Sequence, residues 1–272
     1  MEAVLNFFAS LTTLQKMIWV AFCLAFFFAL EQIIPLAKHK YNRLRHDGVN
    51  LVFLLMLMVI NIGFGIVLVS IMGWTEAEGF GLLNWIKLPT WLGLVISLIA
   101  LDLVSQYFAH YLLHHVKWMW RLHMVHHTDT KVDLTTGVRQ HPIEFILRES
   151  LALVTFVLFG MPVSFYLLYR LITIFFTYWT HANIRLPKTL DRILSYVIIT
   201  PDTHKFHHHF ERPWTDTNFG NVLSIWDRAF GTFTYGSTDK ISYGLDVADD
   251  SRDEDLKYQL GIPFNHSIKT DD

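Results

Sequence analysis

Residues 110–127 read HYLLHHVKWMWRLHMVHH, and this stretch decides how the rest of the chain is interpreted. It contains two histidine groups, the first spaced His-x3-His-His and the second His-x2-His-His. Residues three and four positions apart share one face of a helix, so each group presents several imidazoles on the same side. The pattern predicts a helical segment that binds metal.

A third group lies far downstream, in the sequence THKFHHHF at residues 203–210. Twelve of the 15 histidines fall between residues 110 and 209, so the clustering is not a matter of overall composition. Imidazole is a ligand for zinc, copper, iron and nickel, and eight grouped histidines exceed the three or four that one zinc site uses. We therefore predict two metal ions. The predicted ligands are the eight grouped histidines and one that directly follows an apolar segment: His110, His114, His123, His126, His127, His204, His207, His208 and His181.

Five further residues are candidates either to bind metal or to form hydrogen bonds with the residues that bind it. His115 and His209 either bind metal or support a neighbouring ligand, and His141 either binds metal or caps the helix that follows it. Asp102 and Gln106 precede the first group at four-residue steps along one helix, so we expect them to fix the orientation of its rings. The remaining histidines are predicted to lie on the surface: His39, His46 and His266.

The composition is that of a membrane protein, with 52% apolar and 17% charged residues and a positive mean hydropathy. Net charge is −2 and no long basic run occurs, which excludes a nucleic-acid interface. Cys23 is the single cysteine, so neither an internal disulfide nor an iron–sulfur cluster can form within this chain.

The apolar segments predict an all-α integral membrane protein of one domain, residues 1–272, with about four transmembrane helices. The predicted membrane segments are 14–36, 49–72, 91–109 and 143–180. The last is a helical hairpin, broken near residues 160–162 and counted as one or two spans, in which Glu149 and Arg170 are a possible ion pair.

The connection after the first span is basic, which places it in the cytoplasm by the positive-inside tendency. Its basic residues are Lys38, Lys40, Arg43 and Arg45. The third span returns to the same side. Residues 110–142 and 181–235 are therefore predicted to form a helical catalytic cap on the cytoplasmic face, followed by a polar, peripheral tail at 236–272.

The three histidine groups resemble the histidine boxes of the fatty acid hydroxylase and sterol desaturase superfamily, over roughly residues 100–235. One position differs: some members carry a second histidine four residues before the one at 181, where this chain has Thr177. The similarity extends to the sequences around the boxes: Met119-Trp120-Arg121-Leu122-His123, Asp133-Leu134-Thr135-Thr136, Arg139-x-His141-Pro142-x-Glu144, His181-x-Asn183, and Asn218-Phe219-Gly220-Asn221 through Trp226-Asp227 to Phe230-Gly231-Thr232.

The resemblance implies a membrane-bound di-iron monooxygenase that uses dioxygen to hydroxylate or desaturate a lipid such as a sterol or fatty acyl chain. It implies that the box histidines hold two iron ions, which zinc can replace in a purified sample, with His181 as a further ligand. The membrane is expected to be a bacterial inner membrane or the endoplasmic reticulum.

The sequence has no haem, flavin or iron–sulfur motif, so electrons are expected from a separate donor of the cytochrome or ferredoxin type. The expected docking surface is a set of cations on the cap: Lys117, Arg121, Lys131 and Arg139. The alternative is a membrane metal protein without redox chemistry, either a zinc hydrolase, since bound zinc activates water, or a metal store or sensor.

Overall fold

A computed structural model describes residues 1–37, 41–212, 214–238 and 241–270, and these ranges are mostly helical. No β-strand occurs within them, so the predicted all-α class is confirmed. Lys38, His39 and Lys40, on which the basic connection partly depends, lie outside the described residues. The α-helices are α1 (Glu2–Ala9), α2 (Thr13–Ile33), α3 (Arg43–Glu78), α4 (Leu82–Trp85), α5 (Thr90–Leu101), α6 (Ala109–His115), α7 (Lys117–His127), α8 (Pro142–Phe159), α9 (Val163–His181), α10 (Lys188–Leu194), α11 (Pro201–His207), α12 (Ile225–Phe230) and α13 (Leu256–Gly261).

Three helical stretches in the described part of the chain are long and apolar enough to cross a bilayer: Thr13–Ile33, Arg43–Trp85 and Thr90–His115. They correspond to the first three predicted membrane segments. The second is longer than predicted because α3 already begins at Arg43, where the Asn42 side chain accepts a hydrogen bond from the backbone N–H of Arg45. The basic residues Arg43 and Arg45 therefore belong to the helix and not to a loop.

The predicted hairpin is present as α8 and α9, which contain 18 and 19 residues and are separated by Gly160, Met161 and Pro162. Neither helix has the composition of the three stretches above, because charged and polar side chains interrupt both. Two of those charges form the predicted ion pair, with Arg170 Nη1 2.6 Å from Glu149 Oε1.

The tip of this hairpin touches the connection between α3 and α5, at the end of the helices opposite the histidines. Gly160 adopts a left-handed conformation with φ of 56°, and Gly81 has φ of 110°. A Cβ atom on Gly81 would lie 2.3 Å from the backbone nitrogen of Gly160, so only glycine permits this approach. The contact places the tip of the hairpin beside the connection between α3 and α5, while α8 packs against both of these helices and α9 packs against α5.

Replacing Gly160 by alanine tests this contact. The new methyl group would require a left-handed conformation that L-residues disfavour, and would lie 2.4 Å from the carbonyl oxygen of Phe80. We expect Gly160→Ala to lower the free energy of unfolding by about 2 kcal/mol or more, measured by thermal unfolding in detergent. Gly63→Ala is the matched control, because a Cβ there meets nothing within 4 Å and alanine favours the helix. Equal stability of the two variants would contradict the close contact.

The C-terminal region packs into the cap, and the prediction of a peripheral tail is wrong. Leu245, Ile262 and Ile268 are buried in one apolar cluster that also contains Phe53 of α3 and Met124 of α7. The reason is that apolar side chains recur among the acidic residues of the tail, and together they cover α7.

Candidate metal centre

Four helices carry the predicted ligands. The third candidate span passes through a π-helical segment, Asp102–Phe108, into α6, and the extended backbone of Val116 then turns the chain into α7. The next ligand is the last residue of α9, and α11 supplies the third box. Thr200 caps the start of α11, because its side chain accepts a hydrogen bond from the backbone N–H of Thr203, and Pro201 occupies the first turn.

The nine predicted ligands come together as two groups. Within each group, one ring nitrogen from every histidine lies within 4.8 Å of the corresponding atom of all the others. All nine side chains are buried, each with 5% exposure or less. The first group is His110, His114, His123, His127 and His207, and the second is His126, His181, His204 and His208.

The two groups interleave along the sequence. The neighbours His126 and His127 of α7 belong to different groups, and so do His207 and His208 at the end of α11. Successive residues of a helix point about 100° apart, so one short helix can supply ligands to two adjacent sites. The two groups therefore share α7 and α11, and the ring centroids of His127 and His208 are only 4.7 Å apart.

Backbone carbonyl groups fix the orientation of four of these rings. The Nδ1 atoms of His110, His126, His181 and His207 donate hydrogen bonds to the carbonyl oxygens of Phe219, Arg139, Thr177 and Thr217, over 2.7–3.2 Å. A carbonyl oxygen can only accept, so each Nδ1 carries the proton and each Nε2 keeps a free lone pair. The backbone thus prepares Nε2 as the metal-binding atom.

Facing lone pairs are the strongest sign that a cation belongs here. The Nε2 atoms of His126 and His181 are 3.1 Å apart, and those of His181 and His204 are 3.0 Å apart. Neither of the first pair has a proton to share, since both rings are protonated on Nδ1. A metal ion bound by both nitrogens removes this repulsion, and two ligands about 2.1 Å from one ion are spaced by roughly this distance.

Burial keeps the imidazoles neutral, which is the form that binds metal. Loss of hydration lowers the pKa of His126 to about 3, and it also lowers the pKa values of His127, His207 and His208 well below the usual value. Several of their nitrogens have no hydrogen-bond partner among the described residues, including Nε2 of His127 and of His207 and both nitrogens of His208. Unpaired buried acceptors of this kind match a site built for cations.

Two carboxylates hold ligand rings, and the sequence did not identify either in this role. Glu144 Oε1 accepts a hydrogen bond from Nδ1 of His123 at 2.9 Å, and Asp216 Oδ1 does so from Nδ1 of His114 at 3.2 Å. Such partners orient a ligand and raise its basicity. Glu144 lies within one of the sequences that carry the family resemblance, Arg139-x-His141-Pro142-x-Glu144. Asp216 carries no sequence signal, because it reaches the site from a 3-10 turn, Trp214–Asp216.

The weaker histidine candidates lie outside both groups. His115 is exposed and stacks on Tyr111, with 3.9 Å between ring centroids, and His209 stacks on Trp214. His141 caps α8, since its Nδ1 accepts a hydrogen bond from the backbone N–H of Ile143, which is one of the two roles expected for it. Gln106 faces a cavity described below and its one hydrogen bond to a described residue is to Ser105.

Asp102 does not stand behind the ligands of the first group, contrary to the prediction. Its carboxylate accepts hydrogen bonds from the Tyr169 hydroxyl at 2.7 Å, from Trp226 Nε1 at 2.8 Å and from the backbone N–H of Leu223 at 3.3 Å. The prediction assumed regular α-helical steps, whereas the π-helical segment between residues 102 and 108 changes which residues share a face with His110.

Asp102→Ala therefore tests a structural role. Removal of the carboxylate leaves three donors without their acceptor, and we expect the free energy of unfolding to fall by about 3 kcal/mol. Bound metal per folded chain should stay unchanged. Asp102→Asn is the control, because its amide oxygen still accepts from part of this set. Thermal unfolding and elemental analysis of the purified variants measure both quantities, and loss of metal at unchanged stability would restore the original interpretation.

His46 is fully buried, so its prediction as a surface residue is wrong. Its Nε2 lies 2.8 Å from Asp129 Oδ1, while its Nδ1 faces Asp133. Asp129 also accepts a hydrogen bond from the Thr136 hydroxyl at 2.7 Å. Through its contact with His46, Asp129 therefore ties α3 to the segment that follows α7. Pairing with these carboxylates explains why His46 is buried. Both partners lie far along the chain, so the sequence around His46 does not indicate its burial.

Three of the four cations expected on the docking surface are engaged within the chain. Arg139 has no exposed surface and donates to the backbone carbonyl oxygen of Asp253 at 2.6 Å. Arg121 donates to carbonyl oxygens of the C-terminal region, including that of Pro263 at 2.9 Å, and Lys131 pairs with Asp253 at 2.8 Å. These three cations hold the C-terminal region onto the cap, whereas Lys117 is exposed.

The two groups are approached from different directions. A cavity of about 180 Å³ lies between α2, α3, the π-helical segment, α8 and α9, and Thr177, whose carbonyl oxygen holds His181, forms part of its wall. A separate cleft of about 320 Å³ on the cap reaches His114 and is lined by Trp120 and Asp216. The Trp120 ring lies 4.9 Å from the ring of His114.

Comparison with known proteins agrees with this arrangement of histidines. A family model described as fatty acid hydroxylase matches residues 94–232, just over half of the chain. The chain belongs to the fatty acid hydroxylase family, and the predicted resemblance is confirmed.

Individual relatives are similar over the same region. Alkylglycerol monooxygenase of Homo sapiens is 30% identical over 145 residues, which are 51% of this chain and 30% of that protein. Ornithine lipid hydroxylase OlsE of Rhizobium tropici is 34% identical over 143 residues, which are 52% of this chain and 40% of that protein. The matches thus span less than half of the length of these relatives. No solved structure matches the chain.

Substitutions in each group test metal binding directly. His127→Ala and His208→Ala each remove one ligand from one group, and we expect either change to lower the bound iron per chain by about half or more. His115→Ala is the matched control, because it removes an exposed imidazole beside the site. Elemental analysis of protein purified from iron-supplemented cells gives the measurement. Full iron content in the His127 or His208 variant would remove that residue from the ligand set.

Proposed function

We propose that this protein hydroxylates, or desaturates, a membrane lipid by using dioxygen and two iron ions. The observation that carries the proposal is the pair of adjacent histidine groups, with their metal-binding nitrogens prepared by the backbone, next to a cavity among candidate membrane helices. The names of the relatives, alkylglycerol monooxygenase and ornithine lipid hydroxylase, agree with chemistry on lipids.

The five histidines of the first group would hold one ion and the four of the second group the other. Bound iron would supply the activation of dioxygen and the removal of hydrogen from an unactivated carbon. Side chains of the protein orient the ligands, because Glu144 and Asp216 fix the rings of His123 and His114. Leu54, Leu57 and Met58 form an apolar side of the cavity, against which the hydrocarbon that is to react would lie.

The overall reaction consumes one dioxygen, two electrons and two protons. Hydroxylation yields the lipid alcohol and one water, and desaturation yields the alkene and two waters. We propose that the electrons arrive from a separate protein of the cytochrome or ferredoxin type, because the sequence carries no motif for a redox cofactor other than the histidine groups.

We further propose that the metal centre faces the cytoplasm. Glu31, near the end of α2, accepts hydrogen bonds from the backbone N–H groups of Leu134 and Asn183 in the cap, both at 2.8 Å. The connection between the first two candidate spans therefore lies on the same side as the histidines. This connection is followed by Arg43 and Arg45, and basic residues flanking a span favour the cytoplasm.

The hairpin is proposed to cross the bilayer twice, which gives five spans. A helix of 18 residues is about 27 Å long, close to the thickness of the hydrocarbon core. The contact between Gly81 and Gly160 supports this proposal, because it brings the hairpin tip to the side opposite the histidines.

Oxygen labelling tests the reaction. Membranes that contain the protein, supplied with a reductant, a donor protein and lipid extract under ¹⁸O₂, should produce a lipid alcohol that carries one ¹⁸O atom, detected by mass spectrometry. Membranes with the His208→Ala variant at equal expression should yield none, since they lack a proposed iron ligand. Label from H₂¹⁸O in place of ¹⁸O₂ would indicate hydrolysis, and absence of both labelled alcohol and new alkene would contradict the proposal.

A further inference from the structure

The cavity near the second histidine group is lined by charged side chains, Arg148, Glu149 and Arg170, which a pocket for an acyl chain alone does not require. Its volume of about 180 Å³ holds roughly six groups the size of a methylene or a water molecule. Leu54, Leu57 and Met58 of α3 form an apolar side, whereas Arg148 and Arg170 lie on the hairpin side. The cavity can therefore enclose a short piece of a lipid that has both an apolar and a polar part.

Each arginine pairs with one glutamate through a single nitrogen. Arg170 Nη1 lies 2.6 Å from Glu149 Oε1. Arg148 donates from Nε to Glu144 Oε1 at 3.1 Å, and it shares this oxygen with His123. Both terminal nitrogens of Arg148 bond to no described residue. An incompletely paired guanidinium is costly between membrane helices unless an acceptor joins it. Its side chain is 14% exposed, so the terminal nitrogens remain accessible from the cavity.

Arg148 is also connected to the metal centre. Glu144 Oε1 accepts hydrogen bonds from both Arg148 and His123, and Glu144 itself has no exposed surface. Two hydrogen bonds and one imidazole ring thus separate the guanidinium from the metal-facing nitrogen of His123, a path on the order of 8 Å. A chain of single bonds advances about 1.3 Å per bond when extended, so this distance corresponds to about six bonds.

We infer that Arg148 binds an anionic oxygen group of the lipid, a carboxylate or a phosphate, and that the carbon oxidised lies within about six bonds of it. A guanidinium matches the paired oxygens of either group, and the cations of a loaded metal centre add to the attraction. This inference rests on the proposed function, because it concerns the substrate of that reaction. It makes the lipid's polar end, and not the far end of its chain, the reacting part.

Binding of three twelve-carbon probes tests the inference without turnover. Dodecyl phosphate, dodecanoate and dodecanol are titrated into the purified protein in a neutral maltoside detergent, and native mass spectrometry counts the bound probe. We expect at least one anionic probe to bind about tenfold or more tightly than dodecanol, and the tighter of the two identifies the source of the charge. Equal binding of dodecanol would overturn the inference whether or not any variant folds.

Variants assign the preference to one side chain. Arg148→Gln should bind all three probes alike, and Arg148→Lys should keep part of the preference because it retains the charge. Arg192→Gln is the matched control: it removes an exposed arginine of α10, away from the cavity, and should behave as the unchanged protein. A full tenfold preference in Arg148→Gln would overturn the role of Arg148.

The position of the label separates this inference from the proposed reaction. In the ¹⁸O₂ experiment the labelled carbon should lie within the first six carbons from the polar group, and label near the far end of the chain would overturn the inference alone. An intact preference for anionic probes together with no labelled product would contradict the proposed reaction alone.

Discussion

Lone pairs of two buried imidazole nitrogens, Nε2 of His126 and of His181, face one another at 3.1 Å, and a cation between them is what makes the arrangement favourable. Burial of nine histidines would otherwise leave many acceptors without partners. The helices of the cap are arranged around this constraint. Their packing gives hydrogen-bond acceptors to the Nδ1 atoms of six rings, those of His110, His114, His123, His126, His181 and His207.

Backbone carbonyl groups supply much of that outer support. The carbonyl oxygens of Arg139, Thr177, Thr217 and Phe219 come from four separate segments of the chain, and each fixes one ring. A carbonyl group is present whatever the side chain, so its position depends on the course of the backbone. The metal centre is consequently sensitive to the fold of loops whose own side chains do not bind metal.

The sequence was sufficient where short-range spacing determines the outcome. Histidines three and four residues apart on α7 and α11 predicted the ligands that come together. It was insufficient where long-range pairing decides. The π-helical segment redirected Asp102 toward Trp226, and partners far along the chain buried His46 and Arg139. The assignment of ligands to two groups also needed the three-dimensional arrangement, because histidines adjacent in the sequence, such as His126 and His127, belong to different groups.

The packing of the C-terminal region also affects the order in which the centre can form. All nine histidines have been synthesised once residue 208 has been added, whereas Ile262 and Ile268, which cover α7, are added later. Arg139, whose carbonyl oxygen orients His126, is itself held by the backbone of Asp253. Enclosure of the two histidine groups therefore depends on a part of the chain that is made after all nine histidines.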